Sequence, residues 1–327
     1  LTPFDGERNP MSHPNGTAFG PDRPFRIGTR ASPLALAQAY ETASLLKQAH
    51  GLGDDSIEII KIITTGDQRL EKKLGDIGGK GLFTKEVEEA LYDGSIDLAV
   101  HSMKDMPTTL PDGLEISALL PREDVRDAFV SPRHASIAAM PAGAVVGTAS
   151  LRRQAQLLHK RPDLKVCLFR GNVQTRLRKL EEGEADATFL AVAGLNRLDR
   201  IEVATAIIET TDMLPAVAQG AVGIETRTDD ADIRAALAPL HCETCGTRLA
   251  AERAFLGALD GSCKTPIGGL AEIHGDRLIL RGEALRPDGS ERHATMREGP
   301  LSDAVAMGLD AGAELKSLAG PGFFVQS

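Results

Sequence analysis

The chain has 327 residues, more than one ordinary core requires, so two or three domains are expected. Apolar and charged fractions of 42% and 25% are those of a globular protein and exclude a fibrous or wholly disordered chain. A net charge of −9, no Trp and only 4% aromatic residues argue against nucleic acid or an anionic membrane as partner, though a local basic pocket stays compatible with them.

Residues 1–24 are rich in Pro, Gly and Asn, with no apolar targeting core, and read as a disordered tail. From Phe25 strands and helices alternate. Ser32 suits an N-cap, Pro33 a first helical position, and a helix is expected to run from Leu34 to His50 and stop at Gly51. Ile57 to Ile63 is a β-branched run that predicts a buried strand. Gly66 to Gly81 holds five glycines and reads as a long mobile loop. A helix over Thr84 to Tyr92 and a strand over Ile96 to Val100 follow, and the strand leads at once into His101, Ser102, Met103, Lys104 and Asp105.

A second unit begins near Arg126. It shows strands at Ala144 to Val146, Lys165 to Phe169 and Ala187 to Val192. Helices are expected from Leu151, over Gln174 to Leu180, and through Arg197. Strands separated by helices predict parallel sheets with helices on their faces, an α/β class. Leu214 to Glu225 is apolar and extended, suited to a strand that returns to the first unit. A third, α+β unit has a helix over Thr247 to Leu259 and three strands around the turns at Gly275 and Asp288–Gly289. It closes with a helix capped by Ser302.

The chemistry lies at strand ends, where open α/β sheets bind ligands. Arg30, Ser32, Ser102, Lys104, Ser150, Arg152, Arg153 and Arg170 follow strands, and Arg176 and Arg197 lie on the helices beyond. Arginine forks and helix N-termini both suit carboxylate or phosphate. Any one of these residues could be an ordinary surface cation; the set predicts an anion site. The Gly78-Gly79-Lys80-Gly81 run fails as a phosphate loop, because Leu74 stands where a glycine is needed and Gly81 where Ser or Thr is needed. Carboxylates are the better candidate. Asp105 reads equally as a turn cap before Met106–Pro107 or as a carboxylate working in a cleft. His101 reads as a structural histidine. Cys263, between Gly261 and Gly268, could be packing, a nucleophile or a covalent anchor. Cys242 and Cys245 form a C-x-x-C without a second ligand pair, so no metal site is expected and the two cysteines read as incidental. Few cysteines and no membrane-length stretch predict a reducing, cytoplasmic setting.

Six segments together carry a resemblance to the porphobilinogen deaminase family. They are Arg26 to Leu36, Gly78 to Phe83, Ala99 to Asp105, Gly147 to Arg153, Arg170 to Val173, and the Cys263 segment. The resemblance implies two α/β domains like the lobes of a periplasmic binding protein, 25–120 with 215–240 and 121–214. It further implies a small α+β domain, 241–327, that carries the cofactor cysteine. It implies a dipyrromethane cofactor bound to Cys263 by a thioether. On that primer four porphobilinogen molecules condense with loss of ammonia, and hydrolysis releases the linear tetrapyrrole hydroxymethylbilane. Asp105 matches the catalytic aspartate. Arg30, Ser32, Lys80, Ser102, Lys104, Ser150, Arg152, Arg153, Arg170, Arg176 and Arg197 would hold acetate and propionate groups, with Lys80 in a lid. A monomer is implied. The alternative from the residues alone is a two-lobed anion receptor without catalysis, which would need neither Asp105 nor Cys263.

Overall fold

A computed structural model describes residues 19–64, 84–261, 265–320 and 323. The tail 1–18, the whole glycine-rich loop Gly66 to Gly81 with Lys80, and Cys263 lie outside the described residues. The segment read as tail already has structure at its end. Phe19 is buried and stacks on Phe25 with ring centroids 3.8 Å apart, while Gly20 and Arg23 bridge backbone to backbone. Burial of an aromatic ring outweighs the polar, Pro-rich composition around it.

The first lobe runs β1 (Phe25–Arg30), α1 (Pro33–His50), β2 (Ile57–Ile62), α2 (Lys85–Tyr92), β3 (Leu98–Ser102) and β4 (Leu114–Leu119). Ser32 caps α1 by accepting from the Ala35 N–H, and Gly51 ends it in the left-handed region at φ 65°. The second lobe runs β5 (Asp127–Val130), β6 (Val145–Gly147), α3 (Leu151–Lys160), β7 (Lys165–Cys167), α4 (Val173–Glu181), β8 (Ala187–Ala191), α5 (Val192–Arg197) and β9 (Ala206–Ile208). The chain then returns through β10 (Val222–Arg227) and α6 (Ala231–Leu237). The third unit has α7 (Glu243–Ala258), β11 (Ile267–His274), β12 (Arg277–Leu285), β13 (Arg292–Pro300) and α8 (Ala304–Ala319).

The two lobes share one plan. The first sheet has strand order β2-β1-β3-β10-β4, the second β7-β6-β8-β5-β9, and the third β11-β12-β13. In the first, β1, β2 and β3 are parallel, and β10 lies antiparallel between β3 and β4. In the second, β6, β7 and β8 are parallel, and β5 lies antiparallel between β8 and β9. Each inserted antiparallel strand is the one that has just crossed from the other lobe. The structure is therefore the expected pair of α/β lobes followed by a small antiparallel α+β unit.

Helices cover both faces of each lobe sheet. Leu46 of α1 and Ile233 of α6 pack with Ile27, Leu98 and Ile224, while Val87 and Leu91 of α2 meet Ile96 and Leu114 on the other side. Each such burial stabilises by roughly 1.5–3 kcal/mol. The core of the third unit does not stop at its own boundary. Phe255, Leu278 and Ala311 share one cluster with Met103, Met106 and Leu119 of the first lobe.

Some expected boundaries move. β10 begins only at Val222, and 214–221 is the irregular second crossing. α7 starts at Glu243, four residues before the expected Thr247. Ser302 does not cap α8; its hydroxyl donates to Asp303 Oδ1 at 2.9 Å, inside a 3₁₀ turn, and the helix starts at Ala304.

Candidate active site

Asp105 is presented by a short 3₁₀ turn, Met103–Asp105, that leaves the end of β3. Met103 and Met106 are both buried and pin the turn to the core, so Lys104 and Asp105 are lifted toward the cleft. The Met103 N–H donates to Ala221 O at 3.0 Å. Its sulfur occupies the space where a side chain on Gly223 would begin, 2.1 Å from the ideal Cβ, so a larger residue at that strand position would have to displace the Met103 side chain. Asp105 is exposed and lines a cavity of ≈ 80 Å³ with Arg30, Ser32, Gln38, Thr84 and Ser102. Ser32 is thus both helix cap and wall of the cleft. Gln38, on the buried face of α1, donates to Ser102 Oγ at 2.9 Å and accepts from it at 3.1 Å.

The second lobe supplies the facing wall. Ser150 caps α3, its Oγ accepting from the Arg153 N–H at 3.4 Å, and this places Arg152 and Arg153 in the first turn. Both guanidiniums are buried against Asp127 of β5, at 2.8 Å for Arg152 and 2.7 Å for Arg153. Arg152 also donates to Leu214 O, Arg153 to Phe189 O, and Gln219 to Asp127 Oδ1. Burial alone would raise the Asp127 carboxyl; the two guanidiniums and the Gln219 amide outweigh it and hold the group well below the ordinary carboxylate range. Arg176 donates to Gly171 O at 2.9 Å from α4.

Electrostatics ties the walls together. Burial pushes Lys104 from 10.5 down to about 8, with Asp105 and Asp127 opposing and Arg153 and Arg152 adding to the fall. Burial likewise pushes Arg176 down to about 10, with Arg153 adding and Asp105 opposing. Lys104, Arg152, Arg153 and Arg176 thus outnumber the carboxylates Asp105, Asp127 and Glu283 that act on them among the described residues, so an anionic guest would be stabilised in this poorly solvated cleft. Arg197 is placed differently. It reaches across the lobes to Glu41 of α1 at 2.9 Å and donates to Gly220 O, lining a ≈ 30 Å³ cavity beside Ser102 and Lys104. Arg30 ends β1 and Arg170 follows β7, both half-buried.

Residue reading missed Asp127, Gln38, Gln219 and Glu41. Two of them left a signal: a carboxylate opening an apolar strand, and an amide on the buried stripe of a helix, both want a partner. His101 is buried with its Nε2 2.9 Å from Glu225, a structural pairing. Among the described residues no three His, Cys, Asp or Glu side chains converge as a metal site. A larger cavity, ≈ 680 Å³, lies between α3, residues 210–214 and the β12–β13 face, and shares no lining residue with the cleft. Its cations Lys160, Arg281 and Arg292 are each paired, with Asp212, Glu272 and Glu283, so it lacks the uncompensated charge of the cleft.

The family profile described as "Porphobilinogen deaminase, dipyromethane cofactor binding domain" matches residues 25–235, and "Porphobilinogen deaminase, C-terminal domain" matches 246–317. A protein named porphobilinogen deaminase from Paracoccus denitrificans is 60% identical over 93% of this chain and 97% of its own length. One from Nitrobacter hamburgensis is 57% identical over 91% and 94%. Among solved structures, the methionine-binding protein MetQ aligns at 13% identity over 68% of this chain and 91% of its own, with TM-score 0.44. The chain belongs to the porphobilinogen deaminase family, transferases that use a dipyrromethane cofactor to condense porphobilinogen toward tetrapyrroles.

Proposed function

We propose that Asp105 is the catalytic group of this condensation and that cations from both lobes hold the carboxylates of the growing chain. The observation that carries the reading is the excess of positive charge around one exposed carboxylate, with Lys104 and Arg176 both displaced by burial and by neighbouring cations. Such a cleft fits a group that bears an acetate and a propionate on each ring. When bound, dipyrromethane supplies a nucleophilic pyrrole carbon. Asp105 would face ring N–H groups and stabilise positive charge as ammonia leaves porphobilinogen, the work of a preorganised anion. Lys104, Arg176 and Arg30 would neutralise carboxylates directly, with Ser32 and Ser102 donating hydroxyl hydrogen bonds. Ser150 and Arg170 would extend that track along the second lobe, and Arg152 and Arg153, paired with Asp127 in this state, would join it only by turning from that carboxylate. Arg197, tied to Glu41 in this state, would reach a carboxylate only by exchanging that partner.

The assignment of Cys263 as thioether anchor and of Lys80 as part of a lid rests on the sequence motifs. So do the domain limits 25–120 with 215–240, 121–214 and 241–327 and a monomeric state, while a cytoplasmic location rests on the scarcity of cysteine and of membrane-length apolar stretches. Among the described residues no helix is long and apolar enough to cross a membrane. The deciding measurement is the intact mass of the purified, active protein and of its Cys263 peptide. A two-pyrrole adduct on that peptide is expected, and an unmodified Cys263 in active protein overturns the anchor.

A further inference from the structure

The sequence left Cys242 and Cys245 without a role, and the fold gives the pair an asymmetry. Cys242 occupies the N-cap of α7, with φ −95° and ψ 100°, and its half-buried thiol is open to reagents. Cys245 is the third residue of the helix and is 1% exposed, packed in the cluster that holds Leu119 and Leu249. Residues three apart on a helix have Cβ atoms about 5–6 Å apart. A disulfide needs about 3.5–4.5 Å. The cap residue lies outside helical dihedrals, so its side chain is not held at that helical spacing.

We propose that Cys242 and Cys245 form a redox-active dithiol, oxidised reversibly to an intramolecular disulfide by a low-molecular-weight disulfide of the glutathione class.

The two thiols differ in the way such chemistry needs. Burial pushes Cys242 up. The Thr244 hydroxyl at 3.3 Å, the N–H dipoles of Cys245 and Thr244 and the Arg248 guanidinium outweigh it, leaving the thiol below its ordinary value. Burial pushes Cys245 up to about 11, with Arg122 opposing and Cys242 adding. The Cys242 thiolate attacks one sulfur of the oxidant, forming a mixed disulfide and expelling one thiolate, which takes up a proton. That bond removes the Cys242 charge that helps keep Cys245 protonated. Cys245 then attacks Cys242 Sγ, and the second oxidant sulfur leaves, taking up the Cys245 proton to become a thiol. Two protein thiols and one small disulfide become one protein disulfide and two small thiols, with two electrons passing to the oxidant. The Cys242 N–H donates to Leu119 O at 2.8 Å, so the new bond would sit directly on the segment leading into the first crossing.

Both cysteines fall in one tryptic peptide, 235–248, which holds no other cysteine. Full-length protein is equilibrated near neutral pH with oxidised and reduced glutathione in varied ratio, acid-quenched, unfolded, labelled with N-ethylmaleimide and analysed by mass spectrometry. The wild-type peptide should pass from two labels to none, carry no glutathione when oxidised, and recover both labels after dithiothreitol. Cys245→Ser should stall with one glutathione on Cys242. Cys245→Ala serves in its place if the buried hydroxyl unfolds the helix, as circular dichroism would reveal. Cys242→Ser should keep Cys245 labelled at every ratio. A wild-type peptide that keeps both labels throughout, or that stops at the mixed disulfide, overturns the proposal.

Discussion

At Asp105 a single carboxylate is surrounded by more positive charge than it can neutralise, and that imbalance sets what substitutions there should do. Replacing Asp105 by Ala removes a group that acts as charge develops, so kcat should fall by roughly 10²–10³-fold. Substrate binding, carried by the cations, should change little; single-turnover ammonia release with a parallel binding measurement separates the two. Lys104 gives a pH signature. Its value of about 8 lies below the ordinary 10.5, so the unfolded chain binds more protons than the folded one between those limits, and stability should rise with pH across that window. Binding runs the other way, because only charged Lys104 holds a carboxylate. kcat/KM should decline as pH rises through about 8, and Lys104→Arg should remove that limb; an unchanged alkaline limb in the variant would show that another group titrates. The cations were legible in the sequence because they stand in strand-end motifs. Asp127 left only the hint of a carboxylate opening an apolar strand, because its meaning comes from Arg152 and Arg153 converging on it from a different element.

The elements show the same division. α1 was readable to the residue, since Ser32, Pro33 and Gly51 are local signals with local causes. β4, β5, β9 and α6 were not foreseen. β9 spans three residues and β5 four, too short to show alternation, and both exist because the neighbouring strands offer them hydrogen bonds. The α7–α8 contact is a case where glycine decides geometry. A Cβ on Gly308 would lie 2.2 Å from Ala251 O, and one on Gly312 would lie 2.6 Å from Ala258 Cβ and 2.7 Å from Phe255 O. The obstacles are mostly backbone atoms, which cannot turn aside. Gly308→Ala should therefore force the helices apart and cost about 1–3 kcal/mol, read as a lower midpoint in chemical denaturation. A neutral result would mean the two helices can slide past each other without loss.

At the scale of the whole molecule, the joint between lobes and third unit is a buried ion pair. Arg122, just past β4, sets two guanidinium nitrogens on Glu252 of α7 at 2.6 and 3.0 Å. The same carboxylate accepts from Ala218 N–H in the second crossing and Ala271 N–H in β11, so one side chain gathers both crossings and the third sheet. Ala218 has φ 60°, rare for a residue with a side chain, and this bond helps hold it there. Removing one partner of a buried pair typically costs about 3–5 kcal/mol. Glu252→Ala should lower the thermal midpoint and split calorimetric unfolding into separate steps for lobes and third unit, whereas a single cooperative peak would place the coupling elsewhere. None of this was readable from spacing, because the four contributing segments are far apart in the chain. The strand order has a consequence for how the protein is made. Domains usually complete in order of synthesis, the N-terminal one first. Among the described residues β4 has β10 as its only neighbour in the sheet, and β10 is encoded after the entire second lobe. Emerging from the ribosome, the second lobe has all its strands in hand while the first still waits for the strand that joins β3 to β4. The lobe that begins the chain is the later one to close, and until then its unfinished edge is the surface a chaperone would meet.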